Sequence, residues 1–516
     1  MNYAEILDRS AERTPERPAI IFDDRVHTYA EVREETARFA VALRRLGVQP
    51  GDRVGVMISP RPELAIAFFS VLRAGAVVVP VNVMYRPDEV AFTVNDSGAT
   101  LVVTTEGLLE QILTVKADMP NLREIVVIGD EVSECDEPTV VDYATLIRDG
   151  SPDLDPVPRE EDDLAAFAYS SGTTGFPKGS MHTHYTLRRH GEMLTERYDL
   201  GPDDDIMSVL PIFLLPSFMC GPALAFHTGA TSVIRPKFDP EDFVKTVERH
   251  RVRFGICTPT MYHMLVDLPK EHEADLSSFR YALFGGSPMP PELRRRFEER
   301  FAIRTYQCYG SSETVAVVVS DPVDRDRRFT SVGTAMPGVR IIIVDDEGKQ
   351  LPAGEVGEIC IGSDETGCYR TMLGYWRRPE ETEQAFVQGA VRMGDVGYLD
   401  DEGFLYLVDR KKDVIFVGGW SVFPVEVETV MLEHPDVDHV AVVAEEDERL
   451  GEVPVAYVQP VAGRQLAPDE LIAFTRGQTA HYKCPRRIYV VDALPRNALG
   501  KILKRELRRR EASTQS

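Results

Sequence analysis

The sequence predicts an α/β protein. Its large N-terminal domain holds two βα-layered subdomains and a β-barrel-like subdomain, and a small α+β C-terminal domain follows. Three observations predict this. Short β-rich runs alternate with helical stretches through residues 1–160 and again through 161–329, the rhythm of parallel sheets. Between residues 330 and 409 the runs gather around Asp/Glu-Gly turns, which suits antiparallel strands. After the charge cluster Asp409-Arg410-Lys411-Lys412-Asp413 the pattern restarts and fills residues 414–516, an ordinary domain length of about 100 residues.

The elements follow in order. Thr28 and Glu31 form a capping-box pattern, and the helix after them puts Val32, Phe39, Ala42, Leu43 and Leu46 on one face before Gly47 stops it. Val54–Ile58, Val77–Val81, Leu101–Thr104 and Ile125–Ile128 read as strands, and Ser151–Glu160 is a Pro- and Asp-rich linker. In the second layer, turns follow the apolar runs ending at Leu210, Ile256, Phe284 and Cys308. Ligands of open α/β sheets sit beyond the carboxyl ends of strands, so these turns are expected to converge on one cleft. Beyond residue 330, Arg340–Val344, Val356–Ile361 and Phe404–Val408 are short strands. In the last domain a helix over Val425–Leu432 precedes strands near Val437–Ala444, Val453–Val458 and Ile488–Val491.

Composition narrows the function. The chain has 516 residues, 43% of them apolar, and a net charge of −25, which disfavours nonspecific nucleic-acid binding. Seven scattered cysteines without a CxxC pair point to a reducing compartment and to neither zinc nor a disulfide framework. No signal-peptide pattern opens the chain, and no run of about 18 apolar residues offers a membrane span. A cytoplasmic enzyme is the expectation.

The stretch Tyr169-Ser170-Ser171-Gly172-Thr173-Thr174-Gly175-Phe176-Pro177-Lys178-Gly179 carries the clearest chemistry. Glycines free backbone N–H groups to face an anion, hydroxyls donate further bonds, and Lys178 adds a charge. This is a polyphosphate cradle. It is not a Walker A loop, because Pro177 and not Gly precedes the lysine. His182 and His184 follow it, but no third ligand stands near, so they are read as structural. Cys308 is read as buried packing.

Further motifs stand in order: Tyr309-Gly310-Ser311-Ser312-Glu313-Thr314, Met372-Leu373-Gly374-Tyr375-Trp376, Gly394-Asp395, Asp409–Asp413, Gly418-Gly419 and Gly500-Lys501. Together with the cradle they make the chain resemble the adenylate-forming superfamily of acyl-CoA synthetases, peptide-synthetase adenylation domains and luciferases, from about Tyr3 to Arg508. Gly418-Gly419 before Val422–Glu428, and Tyr482–Arg486, resemble the acyl-CoA synthetase branch. The resemblance implies two half-reactions: a carboxylate attacks the α-phosphorus of ATP to give acyl-AMP and pyrophosphate, then the CoA thiol displaces AMP. It implies that Ser170, Thr173, Thr174 and Lys178 hold pyrophosphate, that Glu313 ligates Mg²⁺, and that the Ser312 hydroxyl reaches the α-phosphate. Tyr309 and Gly310, with Gly285-Gly286-Ser287, would flank adenine, while Asp395 and Arg410 would bind ribose. Lys501 would be the lysine of adenylation. Residues 410–413 would be a hinge centred on Lys412, making the C-terminal domain mobile, with Gly418, Gly419 and Trp420 beside CoA.

The acyl pocket is expected around Phe213, Leu214, Ser217, Phe218, Thr258, Tyr262 and Met336. Leu214 stands where the family often has His or an aromatic residue, and it cannot donate or titrate. An apolar fatty, alicyclic or aromatic acid is therefore expected. The expected partners are that acid, ATP and CoA, with no nucleic acid and no integral membrane; a homodimer is compatible. Two other readings stay open: a free-standing adenylation enzyme or fatty acyl-AMP ligase that loads a carrier protein, and a noncatalytic nucleotide-binding protein. The chain runs to Ser516 without a carrier domain, so a free-standing enzyme is expected.

Overall fold

The computed structural model describes residues 1–129, 137–170, 177–272, 274–287, 289–417, 420–447, 449–496 and 502–508. The chain forms two compact units, residues 1–341 with 361–391 and residues 342–360 with 392–516.

The first unit holds two sheets. One orders its strands Val140–Asp142, Glu124–Ile128, Leu101–Thr105, Arg53–Met57, Val77–Pro80, Leu164–Ser170 and Lys178–Thr183. Its pairs are parallel except the last, a hairpin. The β-branched runs of the central strands are buried on both faces, as parallel strands covered by helices require. The Thr28 capping box forms on Tyr29–Arg45, and Val32, Phe39, Ala42 and Leu43 face inward.

The other sheet runs through Pro18–Phe22, Ser232–Ile234, Ile206–Ser208, Phe254–Cys257, Tyr281–Phe284 and Thr305–Gly310 as parallel neighbours. The two sheets exchange strands across the 151–160 linker. Pro18–Phe22 joins the second sheet, while Leu164–Ser170 and Lys178–Thr183 join the first. Side-chain anchors fix the exchange: the Tyr29 hydroxyl donates to Ala230 O at 2.6 Å, and Ser10 Oγ donates to Phe226 O at 2.8 Å.

A buried pair holds the last of these strands. Arg294 and Asp321, 1% and 0% exposed, face each other, and Arg294 Nε donates to Thr305 Oγ1 at 2.9 Å. Asp321 Oδ2 also accepts from Gln307 N at 2.8 Å. Removing Asp321 would leave the buried Arg294 guanidinium with only the more distant Glu298 carboxylate, at 3.6 Å, as an ion-pair partner among the described residues.

In the second unit the 395–399 part of the strand Ala390–Leu399 pairs antiparallel with Phe404–Arg410, Asp395 opposite Arg410. The sheet Trp420–Val422, Ile415–Val417, Gly451–Pro460, Val437–Asp447 follows, with Ile488–Val490 beside Gly451–Pro460. Val427, Met431 and Leu471 of the helices Pro424–Leu432 and Pro468–Gln478 close its core.

Candidate active site

The two ends of the stretch 169–179 lie on paired strands. Leu164–Ser170 pairs antiparallel with Lys178–Thr183, placing Tyr169 opposite Gly179 and Ser170 opposite Lys178. Thr173, Thr174 and the Ser170 side chain lie outside the described residues. Gly179 is required here, because a Cβ would sit 2.9 Å from the Tyr169 ring. The Tyr169 hydroxyl donates to Asp96 Oδ2 at 2.9 Å.

The segment 372–376 lies along the outer strand of this hairpin. Met181 N donates to Gly374 O, Leu373 N to Met181 O and Trp376 N to Gly179 O, each at 2.9 Å. Gly374 sits at φ 138, where a Cβ would meet the Thr382 side chain at 2.4 Å. This segment, bridged to the hairpin where Ser180 faces Tyr375, delivers Tyr375. Its ring lies 5.3 Å from Lys178 Nζ, and its hydroxyl donates to Glu313 Oε1 at 2.9 Å. One phenol thus joins the cation of the hairpin to the carboxylate expected to hold metal. Burial, then the Glu313 carboxylate, push the Tyr375 hydroxyl far above its ordinary pKa, so it stays a donor.

Glu313 sits on a tightly folded loop. The strand Thr305–Gly310 ends in a single 3₁₀ turn, Ser312–Thr314. Ser311 Oγ accepts from Glu313 N at 3.2 Å, and Thr314 Oγ1 accepts from Ser311 N at 2.9 Å. Val315 follows at φ 70, ψ −58, the strained γ-turn region that a β-branched residue rarely enters. The fold-back brings the Ala316 carbonyl to 1.7 Å from where a Gly310 Cβ would stand, so only glycine fits. Neighbours hold the strain in place: Met372 N donates to Glu313 O at 2.9 Å, and His182 Nε2 lies 2.7 Å from Ser312 O.

His182 is wholly buried, and burial lowers its pKa to about 4. It is therefore neutral at pH 7, and its Nε2–H donates to the carbonyl. His190, lowered by burial to about 3, accepts from Val317 N at 3.2 Å through Nε2. His184 Nδ1 accepts from Tyr3 N at 3.1 Å. All three histidines serve the backbone, and among the described residues no group of three His, Cys, Asp or Glu could hold a metal. A single half-buried carboxylate suits Mg²⁺, which keeps several waters and binds through one or two carboxylates plus substrate phosphates.

The neighbouring turns emerge at one sheet edge. Cys257, Phe284 and Gln307 are in register, so Thr258, Gly285–Ser287 and Tyr309–Gly310 follow side by side. Gly285 is needed for the close approach: a Cβ would lie 2.8 Å from Cys308 Sγ. Gly286 takes φ 83 and, with Ser287, is exposed. Cys308 donates to Phe284 O at 3.3 Å, and burial pushes its thiol up, out of nucleophilic range.

The expected acyl-pocket residues are largely buried. Phe213, Ser217, Thr258 and Met336 are each under 9% exposed, and Leu214 is half-buried. Thr258 caps the helix Pro259–Val266. Phe218 stacks on Phe68 at 4.0 Å, and Tyr262 packs on Phe297 at 4.7 Å with its hydroxyl donated to Leu283 O. These last two rings lie in the core.

In the second unit Arg410 Nε lies 2.8 Å from Asp395 Oδ1. Lys411 pairs with Asp346 at 3.0 Å and Glu358 at 3.2 Å. Lys412 lies in the 3₁₀ turn Lys411–Asp413, and burial lowers its pKa. Trp420 is 65% exposed, its ring 5.7 Å from Tyr482. Gly418, Gly419 and Lys501 lie outside the described residues. Sequence reasoning missed the roles of Tyr375 and Asp96, and it read His182 as structural without naming its partner, Ser312 O. For Tyr375 the available signal was its place in the 372–376 motif, which carried no stated chemistry.

The AMP-binding enzyme family matches residues 7–376, and the AMP-binding enzyme C-terminal domain matches residues 426–501. A feruloyl-CoA synthase of an Amycolatopsis species is 34% identical, covering 97% of each chain. A long-chain-fatty-acid–CoA ligase of Bacillus subtilis is 30% identical, covering 97% of this chain and 93% of its own. The crystal structure of an anthranilate CoA ligase in complex with anthranoyl-AMP superposes with TM-score 0.91 at 27% identity, covering 100% of this chain and 98% of that one. The chain belongs to the AMP-binding enzyme family, in the acyl-CoA synthetase branch of the adenylate-forming superfamily.

Proposed function

We propose that the protein is an ATP-dependent acyl-CoA synthetase that activates an apolar carboxylic acid, aromatic or fatty, as acyl-AMP and then transfers the acyl group to CoA. The observation that carries this reading is Tyr375, which sets the Lys178 cation and the Glu313 carboxylate around one phenol. Lys178 would face phosphate oxygens, and the Glu313 carboxylate beside it would hold Mg²⁺. Bound Mg²⁺ would supply charge neutralisation on the departing pyrophosphate.

The reaction develops charge on oxygens, so positioned donors should dominate over acid–base groups. In the first half-reaction a carboxylate oxygen of the acid attacks the α-phosphorus and pyrophosphate leaves. Lys178 and the hydroxyls of Ser170, Thr173 and Thr174 receive that leaving group, and Ser312 donates to the α-phosphate. Tyr309 stacks on adenine beside Gly285–Ser287, and the Asp395 carboxylate accepts from ribose hydroxyls, to which Arg410 also donates. Lys501 stabilises charge at the carboxylate and α-phosphate. In the second half-reaction the CoA thiolate attacks the acyl carbon and AMP leaves, with the chain turning at Lys412 and CoA passing Gly418-Gly419 and Trp420.

The choice of acid rests on the apolar Phe213, Leu214 and Met336, and on relatives named for ferulate and long-chain fatty acids. A pyrophosphate-release assay across ferulate, benzoate, a long-chain fatty acid and malonate, with and without CoA, tests it. CoA-dependent turnover with an apolar acid is expected. Release without CoA consumption would favour carrier loading, and no release with any acid would leave a noncatalytic protein. Lys501→Ala should abolish acyl-AMP formation and spare thioester formation from supplied acyl-AMP.

A further inference from the structure

Asp96, near the end of the helix Pro87–Ser97, joins three segments of the first unit. Its Oδ2 accepts from the Tyr169 hydroxyl at 2.9 Å, and its Oδ1 accepts from Arg378 Nη2 at 2.8 Å. Its backbone carbonyl accepts from Trp376 Nε1, also at 2.9 Å. The Asp96 side chain is 10% exposed, so both carboxylate bonds form largely away from water. The residue type matters. A carboxylate accepts on both oxygens, and here one faces a phenol and the other a cation, whereas an amide would turn its own N–H groups toward one of these two donors. Burial, then the Asp96 carboxylate, push the Tyr169 hydroxyl far above its ordinary pKa, so it stays a donor.

Each carboxylate bond ends close to a site residue. Tyr169 directly precedes Ser170, which pairs with Lys178 across the hairpin. On the other side, Arg378 holds Tyr375 by its backbone. Arg378 N donates to Tyr375 O at 3.2 Å, closing a turn in which Arg377 takes φ 53. Thr382 Oγ1 accepts from Tyr375 N at 2.9 Å and donates to Arg378 O at 2.7 Å. Both polar backbone groups of Tyr375 are therefore tied to Arg378, one directly and one through a single hydroxyl. An arginine at positive φ is unfavourable by itself, so this turn depends on its anchors. Trp376, within the turn, supplies another anchor through Nε1, and its ring lies 5.3 Å from Phe167 of the hairpin.

We propose that Asp96 is a positioning residue for nucleotide activation: with the Tyr169 hydroxyl on one oxygen and the Arg378 guanidinium on the other, it fixes the Tyr375 phenol between Lys178 and Glu313. This rests on the reading of Lys178 and Glu313 as the groups that hold phosphate and Mg²⁺. Asp96 itself touches no substrate; it acts through Tyr375. A charge-assisted bond to Arg378 sets the turn, and the bond to Tyr169 sets the strand end against which that turn is held.

A double-mutant cycle tests it. Isothermal titration of the full chain with ATP, at a series of Mg²⁺ concentrations, is run on the wild type, Asp96→Asn, Tyr375→Phe and the double variant. Asp96→Asn should raise the Mg²⁺ concentration for half-maximal binding by about three- to tenfold, and the double variant should need no more Mg²⁺ than Tyr375→Phe alone, because residues that act as one unit are not additive. A carboxylate that only stabilises the fold would lower the thermal unfolding midpoint and leave the Mg²⁺ requirement where it was. Tyr169→Phe keeps the ring and loses one bond, so it should shift the Mg²⁺ requirement in the same direction by less, and it carries the test if Asp96→Asn does not fold. With a wild type that binds ATP in Mg²⁺, an unchanged requirement in both variants, or additive shifts in the double variant, would overturn the role of Asp96 alone. A wild type that binds no ATP in Mg²⁺ would overturn the reading of Lys178 and Glu313, and the role of Asp96 with it.

Discussion

The Tyr375 hydroxyl donates to the Glu313 carboxylate at 2.9 Å while the same ring lies 5.3 Å from Lys178 Nζ. The phenol therefore acts in two separable ways, one through its oxygen and one through its face. Tyr375→Phe removes the first and keeps the second. A hydrogen bond to a charged group contributes about 1.5–3 kcal/mol, so kcat/KM for adenylation should fall roughly tenfold or more, with the Mg²⁺ requirement raised. Tyr375→Leu should cost more, since the cation–π contact goes too. Pyrophosphate release titrated with Mg²⁺ distinguishes them; a Phe variant with wild-type Mg²⁺ dependence would remove Tyr375 from the site.

Gly310 and Gly286 are both glycines beside the expected nucleotide, yet they should respond differently to alanine. At Gly310 a Cβ would fall 1.7 Å from the Ala316 carbonyl oxygen, so the loop carrying Glu313 must open. At Gly286 nothing lies within 4 Å, and only the φ of 83 is strained. Gly286→Ala should cost about 1 kcal/mol of stability. Gly310→Ala should cost more, about 1–3 kcal/mol, and should depress adenylation activity well beyond its effect on the thermal midpoint. Equal responses at the two positions would mean that the fold-back has no functional weight.

His182 predicts an acid limb in the stability profile. Its unfolded pKa is about 6.5 and its folded pKa is about 4, lowered by burial. Between those values the unfolded chain binds more protons, so stability is fully present above about 6.5 and is lost as pH falls toward 4. The slope is at most about 1.4 kcal/mol per pH unit for one proton. His182→Gln keeps an N–H for Ser312 O and cannot titrate. Its denaturant midpoint measured from pH 7.5 to 4.5 should therefore fall less steeply than that of the wild type. Parallel curves would mean that His182 is not buried neutral.

What the sequence revealed and what it hid follow from range. The strands at Val54, Val77, Leu101 and Phe254 were legible because β-branched runs bounded by turns are a local signal. The Thr28 capping box was legible for the same reason. Strand partners were not: Pro18–Phe22 pairs with Ser232–Ile234 through contacts that no local pattern encodes. The site divides in the same way. Glu313 and Lys178 stand in contiguous motifs, but Tyr375 reaches Glu313 from 62 residues away and His182 reaches Ser312 from 130. The residues expected to contact substrate sit in motifs, while those that hold them come from other elements.

Asp409 carries the opposite pH signature to His182. Its Oδ1 accepts from Arg410 N at 2.6 Å and its Oδ2 from Val425 N at 2.9 Å, in the first turn of the helix Pro424–Leu432. Burial raises its pKa to about 6, with Lys504 and the two backbone donors opposing and Glu428 adding to the rise. The unfolded value is about 3.9, so between about 4 and 6 the folded chain binds more protons. Stability therefore declines as pH rises through that window and levels off above it. Asp409→Asn removes the titration and keeps one acceptor oxygen. The wild-type midpoint minus the Asn midpoint should accordingly be larger at pH 5 than at pH 7.5, whatever its absolute value. Denaturant unfolding of both proteins at the two pH values measures that difference, and a difference independent of pH would show that Asp409 ionises normally. Because Asp409 adjoins Arg410, the same comparison run on the thioester-forming step tests whether the charge at the helix end bears on the expected turning point at Lys412. Slower thioester formation in the Asn variant at pH 7.5, with adenylation unchanged, is the outcome that a charged Asp409 capping that helix predicts.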